Sequence, residues 1–231
     1  MAGALRMRPP YSFAKKTRRS SRRTQGHWDI VVILGAHDVS QPEETQQVLA
    51  VESHHIHPEY DEEYMPFNDV LLLKTGVTLY YHVTVYGDNM SIKLSKLSSR
   101  AVLNEYVQTI PLPSSSSDLP KDTPCSIAGW GLIDRTRDTD KLFETNVTIV
   151  SRRLCHRYYP GLSDGMICAG SPKRITDSSQ GDSGGPLVCN EALEGIVSFG
   201  YHHPPGVYAR VGKYLEWIKQ TISKYESTDT I

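Results

Sequence analysis

No cysteine occurs before Cys125, no apolar run is long enough to cross a membrane, and no acidic residue lies among the first 26 positions. The first absence confines any disulfide to the C-terminal part of the chain. The second excludes a membrane-spanning helix, which needs about 20 consecutive apolar residues. Met1 to Phe13 also lacks the continuous apolar core of about seven residues that a secretory signal needs, so none is expected there. The third absence reshapes the charge. The first 26 residues carry eight Lys/Arg, while the remaining 205 hold 17 basic against 26 acidic side chains, so a net charge of −1 conceals a cationic arm on an acidic body. No internal repeat is visible.

What is present reads as an all-β protein. At 231 residues and 39% hydrophobic content the chain is long enough for one large domain or two packed sub-domains. From about Asp29 onward, short β-branched or aromatic runs alternate with Gly, Pro, Asp and Ser turns. They are Ile30 to Leu34, Gln46 to Val51, Val70 to Leu73, Cys125 to Gly129, Asn146 to Val150, Gly195 to Phe199 and Gly206 to Val211. Only Lys213 to Tyr225 spaces Tyr214, Leu215, Trp217, Ile218 and Ile222 as one face of a helix. The pattern suggests a barrel or sandwich core with a terminal helix. Four cysteines, even in number and well spread, and Asn-x-Ser/Thr acceptors at Asn89 and Asn146 suit a secreted protein. That conflicts with the missing signal.

The stretch Asp177-Ser178-Ser179-Gln180-Gly181-Asp182-Ser183-Gly184-Gly185-Pro186 sets a serine in a glycine-bounded turn. Glycines there let the backbone approach a substrate closely and aim amide N–H groups at a developing oxyanion. A Gly-x-Ser-x-Gly run also marks α/β-hydrolases, where it lies between strand and helix. Here a polar loop precedes Ser183 and the strand-like Pro186-Leu187-Val188-Cys189 follows, which argues against that fold. A nucleophilic serine needs a general base, and the base needs a carboxylate to orient it and stabilise its charged form. Asp69 in Phe67-Asn68-Asp69-Val70-Leu71-Leu72-Leu73 stands at the start of an apolar strand, where a buried carboxylate is costly without a partner. The plainer reading of Asp69 is a turn residue.

In order along the chain, Val32-Ile33-Leu34-Gly35-Ala36-His37-Asp38, Thr45-Gln46-Gln47, Ile56-His57-Pro58-Glu59-Tyr60, Asn68-Asp69, Ile110-Pro111-Leu112-Pro113, Ala128-Gly129-Trp130-Gly131, Gly181 to Pro186 and Ser198-Phe199-Gly200 form a long series of motifs. Together they resemble the chymotrypsin/trypsin family of serine proteases, and within it the granzyme and mast-cell protease branch. The resemblance implies two six-stranded antiparallel β-barrels with the active site between them and a C-terminal helix. It implies Ser183 as nucleophile, Asp69 as triad carboxylate, and the N–H groups of Gly181 and Ser183 as oxyanion donors. Asp177 matches the base of the specificity pocket, lined by Ser178, Ser198, Gly200 and Gly206. A carboxylate there pairs with a long cationic side chain, so cleavage after Arg or Lys is implied. The plainer reading of Asp177 is a loop acid. The implied disulfides are Cys125 with Cys189 and Cys155 with Cys168, one of the three connectivities four cysteines permit. No cofactor is implied. The implied partners are protein or peptide substrates and serpin-type inhibitors, and the implied location is secreted or a secretory granule.

The chain departs from the family in three places. The Ala-Ala-His-Cys motif expected ahead of Val32 to Gly35 is missing, and Thr24 stands about where it would fall. His27, seven residues before Leu34, is the nearest imidazole and a weak candidate base. The other histidines match ordinary positions, and His54, His55 and His57 lack a fixed geometry for a metal, so no metal site is expected. Second, the activation start Ile-Ile/Val-Gly-Gly, whose amino group pairs with the carboxylate matching Asp182, does not occur in the 231 residues. Asp182 is then expected to lack its cationic partner and to favour a rearranged loop. Third, residues 75–96 intervene where relatives run almost directly into Leu97-Ser98-Ser99-Arg100. This insert, strand-like over Val77 to Val85, reads as a surface hairpin or as retained intron sequence.

These features divide the chain into a basic, disordered segment 1–28 and a protease domain 29–231. The domain has a partial first barrel over 29–110, the insert 75–96, and a second barrel with the helix over about 111–225. The basic centre of the arm, Lys15-Lys16-Thr17-Arg18-Arg19-Ser20-Ser21-Arg22-Arg23, suits phosphate contact or a nuclear address, but a solvated tail or an alternative first exon is the preferred reading. The expectation is a serine endopeptidase by family that is inactive as written. Its alternative is a pseudoprotease that binds peptides or proteins through the Asp177 pocket without cutting them.

Overall fold

The computed structural model describes residues 15–16, 31–51, 53–61, 67–74, 81–84, 101–133, 137–171, 178–200 and 205–226. Along the chain come β1 (Lys15–Lys16), β2 (Val31–Leu34), β3 (Gln47–Ala50), β4 (Ser53–Ile56), β5 (Leu71–Lys74) and β6 (Tyr81–Thr84). There follow β7 (Pro124–Gly129), β8 (Phe143–Val150), α1 (Arg152–Tyr158), β9 (Met166–Gly170), β10 (Pro186–Cys189), β11 (Ala192–Phe199), β12 (Gly206–Arg210) and α2 (Val211–Glu226).

The second half closes on itself. Its six strands form an antiparallel barrel in the order β10-β11-β12-β9-β8-β7, with β7 paired back to β10. Inward residues Ile127, Val147, Ile149, Ile167, Leu187, Val197 and Tyr208 fill it. Cys125 and Cys189 sit directly opposite each other on β7 and β10, and their disulfide staples that pair at a Cα separation of 4.3 Å. A second disulfide, Cys155–Cys168, ties α1 to β9. Helix α1 begins at Ser151, whose hydroxyl accepts the N–H of Leu154, and ends with His156 and Arg157 against the negative pole of the helix.

The first half is built differently over its described residues. Among the described residues, its strands form two three-stranded antiparallel sheets, β1-β2-β3 and β4-β5-β6. The insert supplies β6, which pairs with β5 so that Leu71 faces Thr84 and Lys74 faces Tyr81. The basic arm supplies β1, with Lys15 opposite Ile33 and Lys16 opposite Val32. So these two residues lie in a strand, where a disordered segment was expected. The rest of residues 1–28 lies outside the described residues.

β5 joins the halves because its period-2 alternation has apolar residues on both faces. Leu71 and Leu73 pack with Val32, Leu49 and Val51 in the first-half core. Val70 and Leu72 pack with Leu193, Ile196, Ala209, Tyr214 and Ile218 of the second half and α2. Trp130 adds a polar tie, its indole N–H donating to the His37 carbonyl at 3.1 Å. Among the described residues, no helix is long and apolar enough to cross a membrane.

Candidate active site

Ser183 is exposed in a tight turn leading into β10. Gly181 at φ +99° and Gly184 at φ +84° take left-handed conformations that side chains resist, which is why the turn needs glycine there. The turn is pinned to β11 by two backbone bonds, Gly184 N–H to the Val197 carbonyl at 2.9 Å and Val197 N–H to the Gly185 carbonyl at 2.8 Å. Among the described residues, the N–H groups of Gly181 and Ser183 donate to no protein acceptor.

Asp182, beside the serine, points inward. Its Oδ1 accepts the N–H of Gly131 at 2.7 Å and its Oδ2 the N–H of Ser179 at 2.8 Å. Burial pushes its carboxyl above the ordinary value, and the two amide donors offset part of that. Among the described residues, backbone amides satisfy both oxygens.

Asp69 is 3% exposed, and the Ser198 hydroxyl donates to its Oδ2 at 2.6 Å. Ser198 follows Val197 directly, so β11 holds the Ser183 turn through one residue and Asp69 through the next. Asn68, before Asp69, lies at φ +53°, and its side-chain amide donates to the Glu59 carbonyl at 2.7 Å. The Tyr214 hydroxyl of α2 lies 3.4 Å from Asn68 Oδ1 and 3.3 Å from the Gly165 carbonyl. Burial, helped by the negative charge of Asp69, pushes that phenol up to about 12. It stays a neutral donor at physiological pH.

Of the residues expected to line the pocket, Ser178 stands 3.4 Å from the Tyr208 hydroxyl by its Oγ. A side chain at Gly200 would press its Cβ to 3.3 Å from the Gly206 Cα, so the two glycines are close backbone neighbours. Asp177, His27 and Asn89 lie outside the described residues. Asn146 is exposed on β8.

Histidines with described side chains lie elsewhere. His37 and His156 are exposed. His55 on β4 is 3.0 Å from the Ser53 hydroxyl by its Nε2. His57 stacks against α2, its ring 4.9 Å from Trp217 and 5.4 Å from Tyr214. Among the described residues, the Ser183 hydroxyl bonds no imidazole, and no group of three or more His, Cys, Asp or Glu side chains is disposed to hold a metal. Sequence reasoning missed Tyr214 as a neighbour of Asn68, and Gly129 and Gly131 as neighbours of Asp182. The Gly-Trp-Gly run was visible, but its contact is 51 residues away in sequence.

A closed six-stranded antiparallel barrel, joined through one central strand to a second β unit, with an exposed serine turn and a buried carboxylate held by the same strand, defines a two-lobed serine hydrolase of the chymotrypsin kind. The sequence comparisons narrow this further. The profile described as "Trypsin" matches residues 24–218. Trypsin-1 of Salmo salar is 37% identical over 202 residues, covering 85% of this chain and 73% of that protein. Mast cell protease 3 of Ovis aries is 34% identical over 202 residues, 86% of this chain and 71% of the relative. Granzyme F of Mus musculus is 35% identical over 197 residues, 83% and 70%. The chain belongs to the trypsin family of serine proteases, and its relatives include granzymes and mast-cell proteases.

Proposed function

We propose that this is a granzyme or mast-cell-type serine endopeptidase domain whose chain, as it stands, engages peptides with Arg or Lys at the cleavage position but does not turn them over. Ser183 is the nucleophile by position, Asp69 the orienting carboxylate, and the amides of Gly181 and Ser183 the oxyanion donors. Asp177, with Ser178, Ser198, Gly200 and Gly206, takes the cationic side chain. The observation that carries this reading is the Ser183 turn, with two unclaimed N–H groups and an exposed hydroxyl that no described imidazole reaches. A Ser–His–Asp protease without its base loses on the order of 10⁶ in turnover. The 231 residues hold neither the Ala-Ala-His-Cys motif nor an Ile-Ile/Val-Gly-Gly start. The two disulfides, with no free cysteine among the described residues, favour an oxidising compartment and hence secretion or a granule. Protein substrates and serpin-type inhibitors are the partners this reading assigns.

The test is hydrolysis of an arginyl amide by the purified chain alongside Ser183→Ala, with binding of a benzamidine-type ligand measured in parallel. Expected are no Ser183-dependent turnover and ligand binding that Asp177→Ala abolishes. Turnover lost in Ser183→Ala overturns the inactivity. Absence of ligand binding removes the pocket reading.

A further inference from the structure

We propose that the exposed face of α1 is a docking surface for a peptide segment of a protein partner that carries both acidic and apolar side chains. Of the seven residues of α1 only Cys155 is buried, and its disulfide to Cys168 anchors the helix to β9. Arg152 is accounted for by the fold, since it donates to the Asp118 carboxylate and to the Ser163 and Met166 carbonyls. Arg153, Leu154, His156, Arg157 and Tyr158 are exposed. Among the described residues, the side chains of Arg153, His156 and Arg157 form no ion pair or hydrogen bond. Helix stability explains only part of this. His156 and Arg157 lie in the last turn, where cations suit the negative pole of the helix. Arg153 lies in the first turn, where the positive pole disfavours a cation. Leu154 is 37% exposed and Tyr158 is 50% exposed, apolar surface that gains nothing from contact with water.

The exposed residues sort into two stripes. Arg153 and Arg157 stand four apart, as do Leu154 and Tyr158, so each pair lies along one side of the helix, with His156 three residues beyond Arg153. A cationic stripe beside an apolar one matches a segment with both carboxylates and apolar side chains. A purely anionic polymer would leave Leu154 and Tyr158 unused. Charge favours the same partner. From residue 27 onward the chain carries 17 basic against 26 acidic side chains, so the acidic body repels an acidic segment while α1, which contains no acid, attracts it. The Cys155 disulfide, the Ser151 cap and the Arg152 bonds already hold the helix, so its backbone loses little freedom on binding. The surface also ends near the expected specificity pocket. Tyr159, the residue after Tyr158, is buried, its hydroxyl donating to the Pro205 carbonyl at 2.8 Å and its ring edge-on to Phe199 at 5.7 Å. Pro205 and Phe199 directly precede Gly206 and Gly200. A partner held on α1 thus lies beside whatever enters the pocket. Calling that partner a substrate rests on the proposed reading of the pocket, whereas the docking surface does not.

The experiment is fluorescence anisotropy of a labelled peptide of three Glu-Glu-Leu repeats with the full chain, using a sulfated octasaccharide as a second probe. Expected is saturable peptide binding that weakens in about 0.5 M salt. Arg153→Glu with Arg157→Glu should weaken it by about tenfold or more, and Leu154→Ser with Tyr158→Ser by about threefold or more. All four positions are exposed, so an unchanged thermal midpoint should show that each variant is folded. Should the charge reversal unfold the chain, Arg153→Gln with Arg157→Gln repeats the test, with an expected loss of about threefold. No peptide binding overturns the inference. So does binding that survives the arginine variants, as it would if the cationic arm held the peptide. If Leu154→Ser with Tyr158→Ser leaves peptide affinity unchanged while the octasaccharide binds through the same arginines, the surface reads charge alone and the peptide assignment falls. If a benzamidine-type ligand fails to bind while the peptide binds through α1, the pocket reading falls and the docking surface stands.

Discussion

At the scale of single residues, the shared strand β11 concentrates the chemistry. Ser198 is 7% exposed and its hydroxyl has the buried Asp69 carboxylate as acceptor at 2.6 Å. A hydrogen bond to a charged, desolvated group is worth more than an average one, and deleting the donor leaves the acceptor short of a partner. Ser198→Ala should therefore lower stability by about 1–3 kcal/mol. A denaturant titration should show a lower midpoint at unchanged slope, and a midpoint within error of the natural protein would remove that bond from the accounting. Asp69 and Ser198 were both singled out in the sequence, the first as an orienting carboxylate and the second as a pocket residue, but the bond between them, across 129 residues, was not. Tyr214 was legible only as helix surface, since its hydroxyl meets Asn68 across 146 residues of sequence. Periodicity marked the face it lies on but carried no information about what stood opposite.

At the scale of elements, strands with a two-sided apolar pattern were the easiest to see. β2, β3, β5, β7, β11, β12 and α2 fall within a few residues of their expected spans, and the strand-like run of the insert becomes β6. β4, with the sequence Ser-His-His-Ile, escaped because its histidines hide the alternation, and α1 because seven residues with five cationic or ring side chains show no clear stripe. β4 and the turn after it carry a pH dependence instead. His57 Nδ1 accepts the N–H of Glu59 at 3.2 Å while its ring stacks on Trp217 and Tyr214 of α2. A protonated Nδ1 cannot accept. Burial pulls the His57 imidazole below its ordinary value, with the nearby Glu59 opposing, and burial together with His54, Lys224 and Lys74 does the same for His55. Histidines with depressed values bind protons more readily unfolded. Their contribution to stability is thus complete above about pH 6.5 and is lost as pH falls through the folded values. Unfolding free energy should decline from pH 7 to pH 5, and His57→Phe, which keeps an aromatic ring against Trp217, should flatten the slope. An identical slope in the variant would show that His57 takes no part.

At the scale of the whole molecule, the segment leading from the first half into β7 must be held against the second barrel, and charge does much of the holding. The Pro111 carbonyl accepts the N–H of Leu193 at 2.9 Å. The Arg210 guanidinium reaches the Ser116 carbonyl at 2.6 Å, and Asp118 bridges two guanidiniums, Arg152 at 2.7 Å and Arg210 at 3.1 Å. Arg152 and Arg210 also grip the barrel, donating to the Met166 and Asp164 carbonyls, each at 2.8 Å. The hydrogen bond from Arg152, with both positive charges, holds the Asp118 carboxyl below its ordinary value. Its contribution is present above about pH 4 and lost as pH falls through the folded value. Removing the carboxylate leaves two neighbouring cations, one of them with a side chain only 9% exposed. Asp118 itself is 42% exposed, so water replaces part of the lost pairing and the cost falls below that of a fully buried pair. Asp118→Ala should destabilise by about 1–3 kcal/mol at pH 7. Asp118→Asn should cost nearly as much, because the amide keeps an acceptor but not the charge. The gap between Asp118→Asn and the natural protein should narrow in about 1 M salt, where charge interactions are screened within a few ångströms. If both variants unfold at the natural midpoint, the segment is held by its backbone bond and apolar contacts alone, and the two arginines are satisfied by the carbonyls they already grip.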